Sequence, residues 1–401
     1  MMRIAALNIS DYGSTGKIMS GIAEEARKQG HEVRTFSRNW FGTVKKEGHC
    51  FFGLPLEHAV HHAAGYLTGD EGSGSVISTL MLINELKRFS PDVIHIHNLH
   101  GWYVNLPLLF SYIKKHKIKT VWTLHDCWAF TGHCPYFDYT GCEKWKDGCR
   151  DCPSYKSYPS SLFDNSYKMY RRKKSWFTGV EDLVLVCPSR WLAGLAKRSF
   201  LGDYPVEVIH NGIDTDTFSY RESSFRADHG ISADEIVVLG VAMNWEKRKG
   251  ADVFPQLEKA LGTGYRTVLV GTNGSGFEGM SENTVFVPGT SDQTELAEIY
   301  SAADVFVNPS REDNYPTVNL EAICCGTPAV VFDTGGSPEA VCEGNGAVVA
   351  KDDISGLAEA VKTIINYKED RYNIGRNASE TFDVSVMADS YLRLLEGETD
   401  V

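Results

Sequence analysis

The feature that most constrains the fold is an alternation running along nearly the whole chain. Short apolar, β-rich runs are separated by stretches whose apolar residues recur every three or four positions. Strands joined by helices of this length pair in parallel rather than as hairpins, so the pattern predicts βαβ units. RIAALNI (Arg3 to Ile9) reads as a first strand. A helix face at Ile18, Ile22 and Ala26 follows, capped by Gly30, and HEVRTFS resumes a strand. SVISTLMLINELKRF with DVIHIH, and NLPLLFSYIKKH with KTVWTL, repeat the helix–strand unit. A second series starts near residue 235, with strands EIVVLGVA, RTVLVGT, TVFVPG, DVFVNPS and PAVVFDT. Helices GADVFPQLEKAL, DQTELAEIYSAA and TVNLEAICC lie between them.

Two such series in 401 residues predict two doubly wound parallel-sheet domains of α/β class. The expected bounds are 1–205 and 206–383, with the junction near GDYPVEVIHNGID. The last helix, SVMADSYLRLLEGE within 384–401, has too few neighbours to be a domain and is expected to cross back to the N-terminal one. Open α/β sheets bind ligands at the carboxyl ends of their strands. The expected site therefore lies in a cleft between two facing domains.

A net charge of −12 argues against nucleic acid as a partner. No stretch of 18 uncharged apolar residues is present to span a membrane, and MMRIAALNIS lacks the apolar segment of a secretory signal. The expected location is a reducing cytoplasm. KKHKIK and YRRKKSWF oppose the acidic total. A solvated helix face accounts for both. The second also fits a helix lying on the anionic inner face of a membrane, which leaves peripheral association open.

NISDYGSTGKIMSGIAEE (residues 8–25) joins the first strand to the first helix through Gly13, Ser14 and Gly16. It is not a nucleotide P-loop: Asp11 stands where the first glycine belongs, and Ile18 stands where a metal-binding Ser or Thr belongs. Amides at a helix N-terminus still suit an anion; an ordinary strand–helix turn fits equally well.

In NPSREDNYPTVNLEAICCGTPAVVFDTGGSPEAV a strand ends at Pro309, a loop carries Glu312, Asp313 and Asn314, and a helix runs from Pro316 to Gly326. Asp313 and Glu321 stand eight residues apart, with the helix's free amides between them. Two carboxylates flanking an amide nest suit a ligand with hydroxyls on both sides of a phosphate, such as a nucleotide sugar. Acids complementing the helix dipole are the simpler reading.

HIHNLHGW sets His95, His97 and His100 at a strand end, with His125 and Asp126 further on. A metal site lacks an evident acidic third ligand; an acceptor-pocket lining fits better, and plain packing also fits. Cys134, Cys142, Cys149 and Cys152 form a C-x7-C-x6-C-x2-C run in a loop over 127–153. In a reducing compartment that spacing fits a structural zinc knot, with disulfides or free thiols as alternatives.

Several stretches together resemble retaining glycosyltransferases of the GT-B fold, family 4, over nearly the whole chain. They are the first glycine turn, TLHD, CPSRWL, VIHNGIDTDTF, KRKG, DTGGSPEAV and an E-x7-E-like segment ending at Glu321. HIHNLHGWYVN, HDCWAFTGHCPY and PSREDNYPTVNLEA are similar to the branch that builds bacterial surface polysaccharides. The resemblance implies a nucleoside-diphosphate-sugar donor, a saccharide or lipid-linked saccharide acceptor, and no cofactor or metal for catalysis. Glu321 would bind the ribose and Asp313 the transferred sugar. Lys249 would neutralise the diphosphate with the amides of Gly13 to Gly16, and His125 would sit near the anomeric carbon. Asn211, Arg248, Glu312, Asn314, Thr317 and Val318 would complete the donor site, with His97, Asn98, His100 and Asp126 on the acceptor side.

Two positions depart from the family pattern. Asp313 replaces the first glutamate, so neighbouring Glu312 is a rival for its role. Asn244 stands where an arginine is usual, which leaves Lys247, Arg248 and Lys249 to share the phosphate. The competing functions are a catalytically silent binding module and a nucleotide-sugar epimerase on the same architecture.

Overall fold

The computed structural model describes residues 1–41, 47–366 and 370–397. Seven strands form the first sheet: β1 (Arg3–Leu7), β2 (Glu32–Arg38), β3 (His49–Phe52), β4 (Val93–Ile96), β5 (Lys119–Thr123), β6 (Leu183–Cys187) and β7 (Val206–Val208). Six form the second: β8 (Ile236–Val241), β9 (Tyr265–Val270), β10 (Val285–Val287), β11 (Val305–Asn308), β12 (Ala329–Phe332) and β13 (Gly346–Val349). The helices are α1 (Gly13–Lys28), α2 (Pro55–Thr68), α3 (Val76–Phe89), α4 (Leu106–His116), α5 (Ser166–Phe177), α6 (Arg190–Lys197) and α7 (Phe225–Asp228). They continue with α8 (Phe254–Leu261), α9 (Gln293–Ala302), α10 (Thr317–Cys324), α11 (Ile354–Asn366), α12 (Arg371–Phe382) and α13 (Val384–Glu396).

Every pairing in both sheets is parallel, and the central strands β4, β11 and β12 are buried along their length. Burial on both faces is why these strands read as continuous apolar runs rather than alternating ones. The orders are β3-β2-β1-β4-β5-β6-β7 and β10-β9-β8-β11-β12-β13. In each sheet the connections reverse direction once, between β1 and β4 and between β8 and β11. In doubly wound sheets that reversal opens a crevice at the strand carboxyl ends.

Two compact units result, one of Met1–His210 with Met387–Val401 and one of Asn211–Val386. In the first, Trp122, Phe110 and Phe177 pack in a tilted and edge-on cluster at the centre of the core. α13 joins this unit through its own hydrogen bonds. Tyr391 OH lies 3.0 Å from Thr123 Oγ1, and Lys119 Nζ donates to the carbonyls of Leu394 and Leu395 at 3.1 and 2.9 Å. A lysine on the terminal carbonyls also complements the helix dipole. In the second unit α10 buries Leu320 and Ile323 in one core, and α8 and α11 bury Leu257, Leu357 and Val361 in another.

Candidate functional site

The C-terminal site is built where β8 and β11 end side by side. Gly250, with φ of 76°, lets the loop after β8 press onto the loop after β11: a Cβ there would come 2.4 Å from Pro309 O. Arg311 N donates to Arg248 O at 2.7 Å, and Arg248 Nη1 donates to Glu312 O at 2.9 Å. These bonds bring Lys249 Nζ to 2.5 Å from Asp313 Oδ2. Asp313 is held from behind, since Gly336 N donates to its carbonyl at 3.0 Å and a Cβ on Gly335 would clash there at 1.9 Å.

The two arginines of this region are ion-paired. Arg248 pairs with Glu246 at 2.9 Å, and Arg311 is clamped by Asp252 at 2.7 Å and Asp352 at 2.6 Å. The hydrogen bonds Arg311 donates to Asp252 hold its guanidinium above its ordinary range, against burial. Lys247 gives its backbone carbonyl to Arg311. Glu312 is fully buried.

Pro316 stands at the N-cap of α10 rather than inside it, and no side chain caps the helix. The amides of the first turn, at Thr317 and Val318, therefore begin an uncapped helix end. Glu321, one turn on, accepts from Tyr300 OH at 3.1 Å; burial, with Glu321 beside it, pushes that phenol's pKa up. Asn314 N is turned to Asp313 Oδ1 at 3.0 Å. Asn211 Nδ2 donates to Tyr315 O at 3.2 Å, while its Oδ1 is buried with no hydrogen-bond partner. Tyr300 was not legible as a site residue, because nothing in the order of residues links α9 to α10.

The N-terminal site lies at the carboxyl ends of β1, β4 and β5. The turn after β1 has no side-chain cap on α1, Gly13 has φ of 72°, and a Cβ on Gly16 would meet Asp11 C at 2.6 Å. The helix starts at Gly13, so Ser14 and Gly16 lie in its first turn. Asn8 Oδ1 accepts from Asn98 N at 3.1 Å, tying this turn to the loop after β4. His95, His97 and His125 pack ring against ring at these strand ends. His97 Nδ1 is 2.9 Å from His125 Nε2, with the rings nearly parallel, and His95 Nε2 is 2.9 Å from Thr123 Oγ1. His100 bridges Asp126 Oδ2 at 3.0 Å and Tyr158 OH at 3.1 Å. Burial drives His125 down to about 4, though Asp126 opposes it, and drives His95 to about 3. Both are neutral imidazoles at neutral pH. Burial alone would raise Asp126, but His100 and the Trp128 amide hold it below its ordinary value.

Among the described residues no three His, Cys, Asp or Glu side chains converge on a metal position. Cys134, Cys142, Cys149 and Cys152, the four cysteines expected to hold a structural zinc, line one small cavity together with His133. The Cys149 sulfur accepts from the Gly132 amide at 3.2 Å, and the Cys134 and Cys152 thiols hydrogen-bond to each other.

The description Glycosyltransferase Family 4 matches residues 17–217, and Glycosyl transferases group 1 matches residues 223–381. The chain belongs to glycosyltransferase family 4, and its two doubly wound units are those of the GT-B fold. It is 28% identical over 281 residues to WcaC of Escherichia coli K12, assigned as a colanic acid biosynthesis glycosyl transferase, covering 68% of this chain and 67% of WcaC. It is 30% identical to the D-inositol 3-phosphate glycosyltransferase of Mycolicibacterium smegmatis over 176 residues, 40% of either chain. In fold it matches WaaG, a glycosyltransferase involved in lipopolysaccharide biosynthesis, with TM-score 0.64 and 17% identity over 98% of this chain and 100% of that one. Anabaena HepE in complex with UDP-glucose matches with TM-score 0.66 and 16% identity over 99% and 100%.

Proposed function

We propose that this chain transfers a sugar, with retention, from a nucleoside-diphosphate donor to a saccharide or lipid-linked saccharide in surface-polysaccharide synthesis. The observation that carries the reading is the pairing of Lys249 with Asp313 beside the uncapped start of α10, at the reversal point of the C-terminal sheet. Lys249 would leave Asp313 for the diphosphate, while Asp313 accepts from the sugar hydroxyls and Glu321 from the ribose. Glu312 is buried, which favours Asp313 as the first acid. Asn211, Asn314, Thr317 and Val318 would border the same donor, and Arg248 would hold the loop that carries Lys249.

The charge to be stabilised in this reaction is that of the departing diphosphate. A fixed ammonium and helix-terminal amides oppose that charge without reorganising, which is the role a divalent cation has in other transferases. The departing phosphate oxygen would take the acceptor proton on the same face, so no protein nucleophile or cofactor is invoked. In the N-terminal unit, neutral His125 would offer a hydrogen bond to the sugar, with the amides of Gly13, Ser14 and Gly16 favouring the phosphate. His97, Asn98, His100 and Asp126 would line the acceptor side.

The nucleotide donor is supported by the UDP-glucose complex of HepE, and the surface-polysaccharide role by the assignments of WcaC and WaaG. A lipid-linked acceptor is supported by an exposed apolar face on the N-terminal unit. Leu56 and Val60 of α2 are 71% and 61% exposed, Ile77 of α3 55% and Phe163 64%. The segments adjoin: Ile77 N donates to Glu57 at 2.8 Å, and Leu162 N to Tyr66 O at 2.7 Å. Exposed Lys168, Arg171 and Lys174 of α5 lie next in the chain and suit an anionic bilayer. No helix among the described residues is long and apolar enough to cross a membrane. Incubation with UDP-, GDP- and ADP-sugars tests the reading. Slow nucleoside diphosphate release without acceptor, persisting in chelator, is expected of the transferase; binding without release marks a silent module.

A further inference from the structure

Arg38, the last residue of β2, differs from the other sheltered arginines of the chain. Among the described residues, every other arginine that is buried or half-buried gives its guanidinium to a carboxylate or a carbonyl. Arg38 is half-buried too, yet among those residues its guanidinium makes neither a hydrogen bond nor an ion pair. It lies over the Trp40 ring instead, 4.5 Å from the centroid. A guanidinium resting on an aromatic face loses none of its N–H donors to that contact. The position is close to the histidine cluster. Arg38 N donates to Ile9 O at 3.3 Å, and Ile9 lies against Gly101, where a Cβ would come 2.0 Å from Ile9 Cδ1. The preceding residue, His100, holds the Tyr158 hydroxyl at 3.1 Å. Burial raises the Tyr158 phenol, helped by Asp126 and Glu71, while the Arg38 charge opposes that rise and so reaches the same hydroxyl. Asp126 is engaged by His100 and by the Trp128 amide.

We propose that Arg38 binds an anionic group on the acceptor, a carboxylate or a phosphate, and so selects charged acceptors over neutral ones. The inference rests on the reading of this end of the N-terminal sheet as the acceptor side. Guanidinium meets either oxyanion through two parallel N–H···O bonds, a geometry that a lysine ammonium does not reproduce. A chain of net charge −12 repels an anion at long range, so an anionic acceptor needs a local cation without a carboxylate partner of its own. Two sources supply such a group: an acidic sugar of a saccharide acceptor, and the phosphate of a lipid-linked one.

Calorimetric titration of the full chain without donor tests this, comparing methyl β-D-glucuronide with methyl β-D-glucoside, and octyl phosphate with octanol. At least one charged probe should bind about 10- to 100-fold tighter than its neutral counterpart, the range for a charged hydrogen bond, and Arg38→Gln should bring the two within about twofold. The pair that shows the preference identifies the source. Arg38 has no hydrogen-bonded partner to strand, so the melting temperature of the variant should shift by no more than a few degrees. Phenylglyoxal mapping reads the unsubstituted chain alone: the charged probe should slow modification of Arg38 but not of exposed Arg376 on the other unit. No charge preference in either pair, a preference that Arg38→Gln retains, or modification of Arg38 that neither charged probe slows overturns the proposal. Nucleoside diphosphate release is measured separately, so a chain that turns over no donor sinks the transferase reading while these titrations still decide on Arg38.

Discussion

Lys249 Nζ lies 2.5 Å from Asp313 Oδ2, so residues 64 positions apart in sequence form one ion pair where β8 and β11 end. The pair is partly exposed and contributes little to stability in that state. Under the proposed function it sets an ammonium where the diphosphate would depart.

Replacing Lys249 by Ala should therefore lower kcat/KM about 100- to 1000-fold, the range for loss of one preorganised charge-stabilising group. The melting temperature should move by no more than a few degrees. Steady-state kinetics beside a thermal melt checks both; normal turnover would show that the lysine does not meet the leaving group.

Glu321→Gln keeps the shape and the bond to Tyr300 but removes the charge. Loss of a charged hydrogen bond to a ribose hydroxyl, about 1.5–3 kcal/mol, should weaken nucleoside diphosphate binding about 10- to 100-fold. Titration calorimetry reads this directly, and unchanged affinity would remove Glu321 from the donor site.

The buried histidines set a pH dependence. His125 stands near 4 in the folded chain, below its ordinary 6.5, so the unfolded chain binds the proton first as pH falls. Its contribution to stability is whole above about 6.5 and is lost progressively towards 4, reaching about 2 kcal/mol at pH 5. His95, near 3, acts in the same direction. Urea midpoints at pH 7 and pH 5 should differ accordingly, with His125→Gln reducing the difference. A flat profile would mean these imidazoles are hydrated.

The apolar face of α2 and α3 predicts sedimentation with vesicles containing about 30% anionic lipid, weakened by salt. Leu56→Glu combined with Phe163→Glu should abolish it while leaving the fold intact. Equal binding by that variant, or concentration-dependent dimerisation through the same face, would tell against the bilayer.

Much of the architecture was legible because parallel strands buried on both faces are continuous apolar runs. β4, β5, β8, β9, β11 and β12 all carry that signature. β3, β7, β10 and β13 are only three or four residues long and partly exposed, so their signal is weak; TVFVPG revealed β10 alone. β6 carries a plain run, LVLVC, that alternation alone passed over. Asp313 and Glu321 were legible as neighbours because one loop and one helix carry both. Tyr300 beside Glu321, Tyr158 beside His100 and Tyr391 beside Thr123 were not, because each arrives from a distant element and only folding shows which group it meets. Cysteine spacing could not show that the Gly132 amide donates to the Cys149 sulfur, because that contact depends on the fold of the loop.

The most direct measurement is nucleoside diphosphate release from a panel of UDP-, GDP- and ADP-sugars, run on the unsubstituted chain and on Lys249→Ala and Glu321→Gln. One nucleotide class should support turnover that both substitutions lower at least about tenfold. Turnover that both variants retain in full, or no release from any donor with any acceptor supplied, would contradict a sugar-diphosphate site built on this pair of loops.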